Sequence, residues 1–236
     1  MKLGIMQPYF FPYIGYFSLI KSSDLFIAFD SIKYIRHGWI ERNRVLKESD
    51  GWLYIHVPLK NRRSNSLINE VYINNELKWQ KKIFAQLKHY QKTAPYYNQV
   101  IELLTNLFAN NYQRIVDINI ESLRIVCNYL GIKHNIIAFS EMNLQIEKPL
   151  EADEWALNIC KSIGNVDEYL NLPGGKEFFD KTKYDEASIG LRFLEYEIKP
   201  YNQNRPVFEH CLSIIDVLMF NSVEEINDMI DSFVYS

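Results

Sequence analysis

The sequence predicts an α/β fold with a central, mainly parallel sheet and a helical middle region. The first 30 residues read as strand, loop, helix and strand, amphipathic helical spacing dominates residues 77–130, and short apolar runs bounded by turn residues return afterwards. At 236 residues with 47% hydrophobic content, the chain is long and apolar enough to bury a core. We expect one α/β domain over residues 1–236, with a helical subregion at 77–130.

The chain begins with a Rossmann-like βαβ pattern. The segments are a strand at Lys2 to Met6, a loop at Gln7 to Tyr13, an amphipathic helix at Ile14 to Lys21 and a second strand at Leu25 to Phe29. This order favours parallel pairing of the two strands through a right-handed crossover. The loop then lies at the carboxyl end of the first strand, where open α/β folds bind ligands.

Strand-like runs and then helices follow. The runs are Ile32 to Ile35, Arg44 to Leu46, Trp52 to Pro58 and Asn69 to Ile73, with a polar loop at Asn61 to Asn65. Helical spacing predicts helices at Leu77 to Lys92, Tyr97 to Asn110 and Val116 to Leu130, the last ended by Gly131. Beyond them we predict a strand at His134 to Phe139, a helix at Asp153 to Ile163 ended by Gly164, a turn at Pro173-Gly174-Gly175, a strand at Ile189 to Ile198 and a helix at Cys211 to Phe220.

The charge pattern disfavours a general nucleic-acid-binding protein. The formal net charge is −3, which provides no broad field for polyanions. The longest basic run, Lys60 to Arg63, lies among turn-forming residues and is interpreted as a solvated loop. No apolar run approaches the roughly 20 residues that span a bilayer, and the start of the chain lacks an export-signal pattern. We therefore expect a cytoplasmic protein without a membrane span.

The three cysteines, Cys127, Cys160 and Cys211, are widely spaced and lie in apolar patterns. This spacing indicates neither a disulfide framework nor a clustered metal site. Cys211 is the best candidate for a reactive thiol. Walker, HExxH, GxSxG and CxxC motifs are absent from the sequence, which disfavours the commonest ATPases, zinc hydrolases, serine hydrolases and redox enzymes. We predict no metal ligands and no bound cofactor.

The loop after the first strand, within "MQPYFFPYIGYF", is the first candidate site. Gln7 offers one amide donor and one acceptor to a polar ligand, and Tyr9 adds an amphipathic ring. A lid over the core is the alternative interpretation of so many aromatic residues. A strand, a Pro-rich turn and Gly15 at the helix start resemble nucleotidyltransferases of the HIGH type, but the phosphate-binding histidines of that group are missing.

The segment "DSIKYIRHGWIERNRV" is the second candidate site. His37 could act as a general base, with Asp30 or Glu41 orienting or charging its ring. Arg42 could clamp a phosphate or carboxylate, and Trp39 could stack on a base or sugar. The two remaining polar candidates in this segment are Tyr34 and Asn43.

Two late loops form the third candidate group. Gly174 and Gly175 could present backbone N–H groups to an oxyanion or phosphate, with Lys176 adding charge, although two adjacent glycines more often form a plain turn. In the loop "KPYNQNRPVF", Gln203 is the candidate ligand contact. Ser213 and Asp216, at helical spacing beside apolar residues, are interpreted as buried polar anchors.

In this order, the motifs resemble those of the WbqC-like family. The resemblance covers nearly the whole chain and rests on "MQPYFFPYIGYF", "FIAFDSIKYIRHGWIERNRV", the Trp52 strand, Trp79, "YQKTAPYY", Leu130-Gly131-Ile132, "YLNLPGG" and "YNQ" followed by "LSIIDVLMFN". It implies that the positions to test first are Gln7, Tyr9, Asp30, His37, Trp39, Arg42, Asn43 and Gln203.

The resemblance also implies a function in the biosynthesis of bacterial surface polysaccharides such as O-antigen. The implied activity is transfer of an acyl or aminoacyl group, such as glycyl, onto a nucleotide-linked amino sugar. The donor stays open among a carrier-protein thioester, an acyl-CoA and an aminoacyl-tRNA, and an acyl carrier protein is a candidate partner. Two alternatives are a non-catalytic protein that binds a sugar nucleotide or a partner enzyme of the pathway, and a nucleotidyltransferase-like enzyme.

Overall fold

The computed structural model of the chain describes residues 1–60, 65–196 and 199–236. Within these ranges the strands are β1 (Lys2–Met6), β2 (Leu25–Ala28), β3 (Arg42–Leu46), β4 (Trp52–His56), β5 (Ile136–Ala138), β6 (Glu168–Asn171), β7 (Gly190–Tyr196) and β8 (Phe233–Tyr235). The α-helices are α1 (Gly15–Ser22), α2 (Trp79–Leu87), α3 (Tyr97–Phe108), α4 (Ile115–Tyr129), α5 (Glu154–Ile163), α6 (Lys181–Glu186), α7 (Ile214–Phe220) and α8 (Val223–Asp231). Short 3-10 helices lie at Ile68–Glu70, Lys88–Lys92, Phe139–Glu141 and Pro173–Gly175.

A six-stranded sheet in the order β5-β2-β1-β6-β7-β8 forms the centre of the fold. Its neighbouring strands are parallel except for the last pair, β7 and β8, which is antiparallel. Strands β3 and β4 form a separate antiparallel hairpin, in which Arg44 lies opposite Tyr54. The predicted α/β class, the mainly parallel sheet and the parallel pairing of the first two strands are confirmed.

The connections that leave β1 and β6 run to opposite faces of the sheet. Helix α1, between β1 and β2, packs in one core with Phe26 and Leu170. Helix α6, between β6 and β7, packs with α5 in a second core that contains Ile5 and Ile27. Because the two loops diverge, a crevice opens between the carboxyl ends of these central strands, which is the usual ligand position in open α/β sheets.

The helical middle region covers the same face of the sheet as α1. Ile83 on α2, Leu104 on α3 and Ile118 on α4 are buried in the core that contains α1. The inner face of the hairpin packs there too, through Val45 and Ile55. The three predicted helices are confirmed, although the first passes into a 3-10 helix at Lys88–Lys92. Across the described ranges, every helix is too short or too polar to cross a bilayer.

Two predicted strands are wrong, and two observed strands, β6 and β8, were not predicted. Residues 32–35 form only an isolated bridge, between Lys33 and Leu67. In the run from 69 to 73, the first two residues belong to the 3-10 helix, where the Asn69 N–H donates to the Asp30 carbonyl oxygen at 3.1 Å, and Tyr72 and Ile73 form only isolated bridges. Strand β6 lies directly before the Pro173 turn, and its four residues are too few for a period-two pattern to stand out.

Some predictions fall outside the described residues. These are most of the polar loop at 61–65, most of the basic run at 60–63, and the last two residues of the strand predicted at 189–198. The glycines predicted to end helices do so. Gly131 has φ +68° and Gly164 has φ +70°, a left-handed conformation that a residue with a side chain rarely adopts.

Candidate functional site

A cleft of about 540 Å³ lies at the carboxyl ends of β1, β2 and β6. Its walls come from the loop after β1, the loop after β6 and the start of α5. The lining residues that carry the properties described below are Gln7, Tyr9, Tyr13, Phe29, Trp155, Asn171, Gly174, Gly175, Phe178 and Phe179. The fold thus brings together two of the groups singled out in the sequence, the opening loop and the glycine turn.

Buried side chains from three separate segments hold the loop after β1. The donors are Asn119 on α4, Asn43 on β3 and Ser213 before α7, and the acceptors are the carbonyl oxygens of Pro8, Phe10 and Phe11, at 2.7–3.1 Å. Asn43 is 4% exposed and the other two donors are fully buried. Leaving such a buried donor unpaired costs about 1–3 kcal/mol, so these bonds favour one loop conformation.

The loop divides its aromatic residues between the core and the cleft. Phe11 has φ +43°, a left-handed conformation that is unfavourable for a bulky residue, and it is held there because its carbonyl oxygen accepts from both Asn43 and Ser213. The rings placed in the core are fully buried and belong to Phe10, Phe11, Tyr16 and Phe17. The side chains of Gln7, Tyr9 and Tyr13 line the cleft.

Two glycines leave room for rings of the cleft. A Cβ atom on Gly15 would lie 2.5 Å from the Tyr13 ring, and one on Gly175 would lie 2.9 Å from the Phe179 ring. A Cβ on Gly174, by contrast, would meet nothing within 4 Å. The close approach of backbone to ring therefore requires glycine at positions 15 and 175.

Amide side chains supply the polar surface of the cleft. Across the part of the chain that the structure describes, the Gln7 carboxamide makes no hydrogen bond to protein, so its donor and acceptor remain available. Asn171 is fixed, because its Oδ1 accepts from the Leu172 N–H at 2.7 Å and its Nδ2 donates to the Tyr169 hydroxyl at 2.8 Å. The cleft thus pairs one available amide with one fixed amide.

The lining of the cleft is uncharged. The described residues that line it include no Asp, Glu, Lys, Arg, His or Cys. Burial raises the pKa of Tyr9 and raises that of Tyr13 to about 12, so both phenols are neutral hydrogen-bonding groups at physiological pH. The arrangement suits a ligand group with hydroxyls and a flat apolar face better than a bare phosphate.

The structure places His37, Trp39 and Arg42 outside this cleft, at the β3–β4 hairpin. His37 is exposed and has φ +61°, and Arg42 donates to its carbonyl oxygen and to that of Gly38. The Arg42 guanidinium lies 4.1 Å from the ring centroid of Tyr54, and Trp39 is 37% exposed. The sequence-predicted site is therefore divided between two locations.

Asp30 and Tyr34 are buried in the structure. The Asp30 carboxylate accepts from the N–H and the hydroxyl of Ser140, at 2.9 and 2.5 Å, and so ties the end of β2 to the segment after β5 rather than orienting His37. Tyr34 is 5% exposed, and its N–H donates to the Ser66 carbonyl oxygen at 3.0 Å. The contacts described for both residues join chain segments.

Gln203 belongs to a buried network around Asp216. The Asp216 carboxylate accepts from the hydroxyls of Tyr90 and Tyr201, each at 2.5 Å, and from Gln203 Nε2 at 3.1 Å. Burial raises the pKa of Asp216 to about 6, although these three donors act in the opposite direction. Lys176 forms an ion pair with Glu195 and does not line the cleft. The predicted anchors Ser213 and Asp216 are both fully buried.

A lysine occupies the acidic cluster found among the described residues, and two of the three cysteines are buried. The carboxylates of Glu151, Asp153 and Glu154 lie close together, but the Lys183 ammonium lies 2.9–3.1 Å from all three. Burial raises the pKa of Cys127 and Cys160 to about 12, which disfavours their thiolates. Cys211 is exposed.

Several cleft residues were not singled out from the sequence. They are Trp155, Tyr169, Asn171, Phe178 and Phe179. Asn119, which donates to the Pro8 carbonyl oxygen in the loop after β1, was not singled out either. The aromatic pair directly after the glycine turn, "GGKEFF", was the one local signal. Trp155 and Asn119 lie within amphipathic helices, where nothing in the sequence distinguishes them from ordinary members.

Comparison with known proteins identifies the family. A family model described as the WbqC-like protein family matches residues 7–228. The chain is also similar to a protein of Mycobacterium tuberculosis (strain ATCC 25618 / H37Rv) that is described as uncharacterized protein Rv1507c, with 29% identity over 230 residues that cover 96% of each chain. No solved structure matches. The family match spans nearly all of the fold described above, and the chain belongs to the WbqC-like protein family.

Proposed function

We propose that this protein acts in the cytoplasm in bacterial surface-polysaccharide biosynthesis, and that it transfers an acyl or aminoacyl group to a nucleotide-linked amino sugar. The observation that carries the proposal is the uncharged, aromatic and amide-lined cleft at the carboxyl ends of β1 and β6. In this proposal the cleft holds the sugar, and the anionic nucleotide extends from its mouth.

The lining suits a sugar ring. A pyranose has apolar C–H faces and hydroxyl edges, which match aromatic rings and amide groups respectively. Tyr9, Trp155 and Phe178 offer rings, while Gln7 and Asn171 offer amides. Gln7 lies in the loop that buried side chains hold by hydrogen bonds, and Asn171 is fixed by two hydrogen bonds of its own. Both groups are therefore in position before the ligand binds, which lowers the entropy cost of binding.

The uncharged lining also favours the reactive form of the acceptor. A low-polarity site disfavours an ammonium ion, so a bound sugar amine loses its proton more readily there than in water. The neutral nitrogen attacks the acyl carbonyl carbon, a C–N bond forms, and the bond from that carbon to the thiolate or ribose oxygen of the donor breaks. The proton released by the amine passes to the leaving group or to water. His37 does not line the cleft, so this scheme does not depend on it as the base.

A second candidate function is recognition without catalysis. The observation in its favour is that the described lining residues lack the side chains that usually act as nucleophiles or general bases. Such a protein would bind the sugar nucleotide or present it to a partner enzyme of the same pathway.

Calorimetry and turnover assays separate the two candidates. We expect UDP- or dTDP-linked amino sugars to bind the wild-type protein, Gln7→Ala and Phe178→Ala to weaken binding by about tenfold each, and Tyr72→Ala, an exposed ring outside the cleft, to leave it unchanged. Acylated sugar formed with thioester, acyl-CoA or aminoacyl-tRNA donors supports transfer. Binding without product from any donor supports recognition, and absence of binding contradicts both. Release of pyrophosphate from a nucleoside triphosphate would instead indicate nucleotidyl transfer.

A further inference from the structure

The outer face of the β3–β4 hairpin carries a second aromatic surface. Side chains alternate across the two strands, so Asn43, Val45 and Ile55 point to the core while their neighbours face outward. With Trp39 from the preceding loop, the outward residues form what we call the hairpin face, which consists of Trp39, Arg42, Arg44, Trp52 and Tyr54.

The guanidinium groups of this face stack on its rings. Arg42 Cζ lies 4.1 Å from the centroid of Tyr54, and Arg44 Cζ lies between two tryptophans, 5.5 Å from the Trp39 centroid and 5.1 Å from that of Trp52. The Trp52 and Tyr54 centroids are 4.9 Å apart. Trp39 and Trp52 keep 37% and 39% of their surface exposed, so ring area remains for a further partner.

The two positive charges are not neutralised by carboxylates. Arg42 and Arg44 donate to the carbonyl oxygens of His37, Gly38 and Cys211, and within the described residues neither forms an ion pair with Asp or Glu. Lys82 is a further nearby cation. The pKa of the nearby His56 is lowered, first by burial and then by the positive charge of Lys82. The charge of Glu41 raises this pKa, and that of Arg42 lowers it.

The acidic residues of the hairpin turn lie at one end of this surface. Glu48 and Asp50 lie in the turn between the two strands, and Glu48 is paired with Lys92 at 3.7 Å. Glu41, whose charge acts on His56, is 7% exposed and turned into the protein. The hairpin face therefore combines exposed rings with uncompensated cations, whereas the lining of the cleft carries no charge.

This combination fits an unpaired nucleic-acid strand. Bases stack on aromatic rings, and guanidiniums bind the phosphates between them. The face lies on the outside of a two-stranded hairpin, and an open surface suits an extended strand better than a mononucleotide, which binds in concave pockets. We infer that the hairpin face binds a short single-stranded nucleic-acid segment through Trp39 and Trp52 as stacking surfaces and Arg42 and Arg44 as phosphate contacts.

The inference does not require the cleft to bind a sugar. If the proposed function holds, the face gives an aminoacyl-tRNA, whose acceptor end is single-stranded, a place to bind beside the site of transfer, and this one extension rests on that function. The fold links the two places, because Asn43, on the inner side of the same hairpin, hydrogen-bonds to the loop that lines the cleft.

Fluorescence anisotropy with labelled eight-nucleotide RNA and DNA tests the inference. We expect the 236-residue chain to bind at low salt, affinity to fall as salt rises, and bound bases to quench tryptophan emission. Trp52→Leu should weaken binding by about tenfold, in line with the loss of one stacked base, whereas Trp52→Phe should retain most of it. Arg42→Gln should weaken binding and reduce its salt dependence.

Matched controls separate this surface from general charge or ring effects. Arg192→Gln removes an exposed arginine on β7, and Tyr72→Leu removes an exposed ring, and both should bind like the wild type. Binding of both RNA and DNA, or of RNA alone, would support the inference. Equal affinity for duplexes, binding of mononucleotides as tight as that of the strand, or indifference to Trp52→Leu in a variant with unchanged thermal unfolding would overturn it. Sugar-nucleotide binding by Trp52→Leu, measured separately, reports on the cleft alone.

Discussion

The cleft and the hairpin face are both rich in aromatic residues, yet their electrostatics are opposite. The rings of the cleft lie among amides and apolar side chains without a charged neighbour in the described lining. The rings of the hairpin face lie beneath two guanidiniums that have no carboxylate partner among the described residues. Ring content alone therefore does not identify a ligand. The charge placed beside the rings separates a surface suited to a neutral sugar from one suited to a polyanion.

Asn43 supports both regions, and replacing it should give the largest change in stability. Asn43 Nδ2 donates to the carbonyl oxygens of Phe10 and Phe11 on the cleft side, and Asn43 Oδ1 accepts from the Arg44 N–H on its own strand. We expect Asn43→Ala to lower the free energy of unfolding by about 3 kcal/mol, because buried partners are left unpaired. Chemical denaturation measures this loss, and cleft binding should fall with it.

A buried asparagine elsewhere provides the control for Asn43→Ala. Asn158 on α5 is 6% exposed and donates to one carbonyl oxygen, that of Glu147. Asn158→Ala should cost less stability and leave cleft binding intact. Equal losses of stability and of cleft binding in the two variants would show that the hydrogen bonds of Asn43 have no special effect on the cleft.

The pH dependence of stability is the next largest expected effect and reports on the buried network around Asp216 on α7. The pKa of Asp216 is raised from 3.8 to about 6 by burial, so the folded state holds a proton that the unfolded state releases between these values. Its favourable contribution is complete below pH 4 and is lost as the pH rises through 6. The loss amounts to about 2–3 kcal/mol.

Asp216→Asn removes this titration. The difference in unfolding free energy between wild type and variant should therefore change between pH 4 and 7, with the wild type losing relative stability as the pH rises. A difference that is constant over this range would contradict the raised pKa of Asp216. The matched variant Asp228→Asn, at an exposed position on α8, controls for the loss of one carboxylate outside the Asp216 network.

A smaller effect distinguishes the cleft from the hairpin face directly. Gly175→Ala places a Cβ 2.9 Å from the Phe179 ring, so the ring must move into the cleft or away from it. We expect sugar-nucleotide affinity to fall about tenfold, which is 1.4 kcal/mol, while RNA binding at the hairpin face is unchanged. Gly174→Ala is the adjacent control, since nothing lies within 4 Å of its added atom. Similar sugar-nucleotide affinities in both variants would show that Phe179 is not part of the binding surface.

The smallest expected effect concerns a single hydroxyl of the cleft. Because burial raises the pKa of Tyr13 to about 12, its phenol stays protonated and able to donate up to pH 10. Tyr13→Phe should weaken sugar-nucleotide binding about threefold, or roughly 0.6 kcal/mol, by the same factor at pH 7 and pH 10. Calorimetry at the two pH values measures this ratio, and a ratio that disappears at pH 10 would show that the phenol ionises.

The sequence predicted the fold better than the grouping of the site. Apolar periodicity identified β1, α1, β2 and the three middle helices because each has one buried face. The same reasoning could not separate Gln7 from Trp39, since the turn between β2 and β3 directs His37 and Trp39 away from the sheet edge. Asn43 resembled a ligand contact because its polar type is visible in the sequence, whereas the backbone carbonyls that it bonds are not. Asn171 and Trp155 join the cleft only through long-range packing.

A crystal structure of the protein with a bound UDP-linked amino sugar would show whether the cleft binds the sugar. We expect the sugar ring in the cleft between β1 and β6, within hydrogen-bonding distance of Gln7 and Asn171 and against the rings of Tyr9 or Phe178. A fully occupied ligand whose sugar lies on the hairpin face or elsewhere, with the cleft empty, would contradict it.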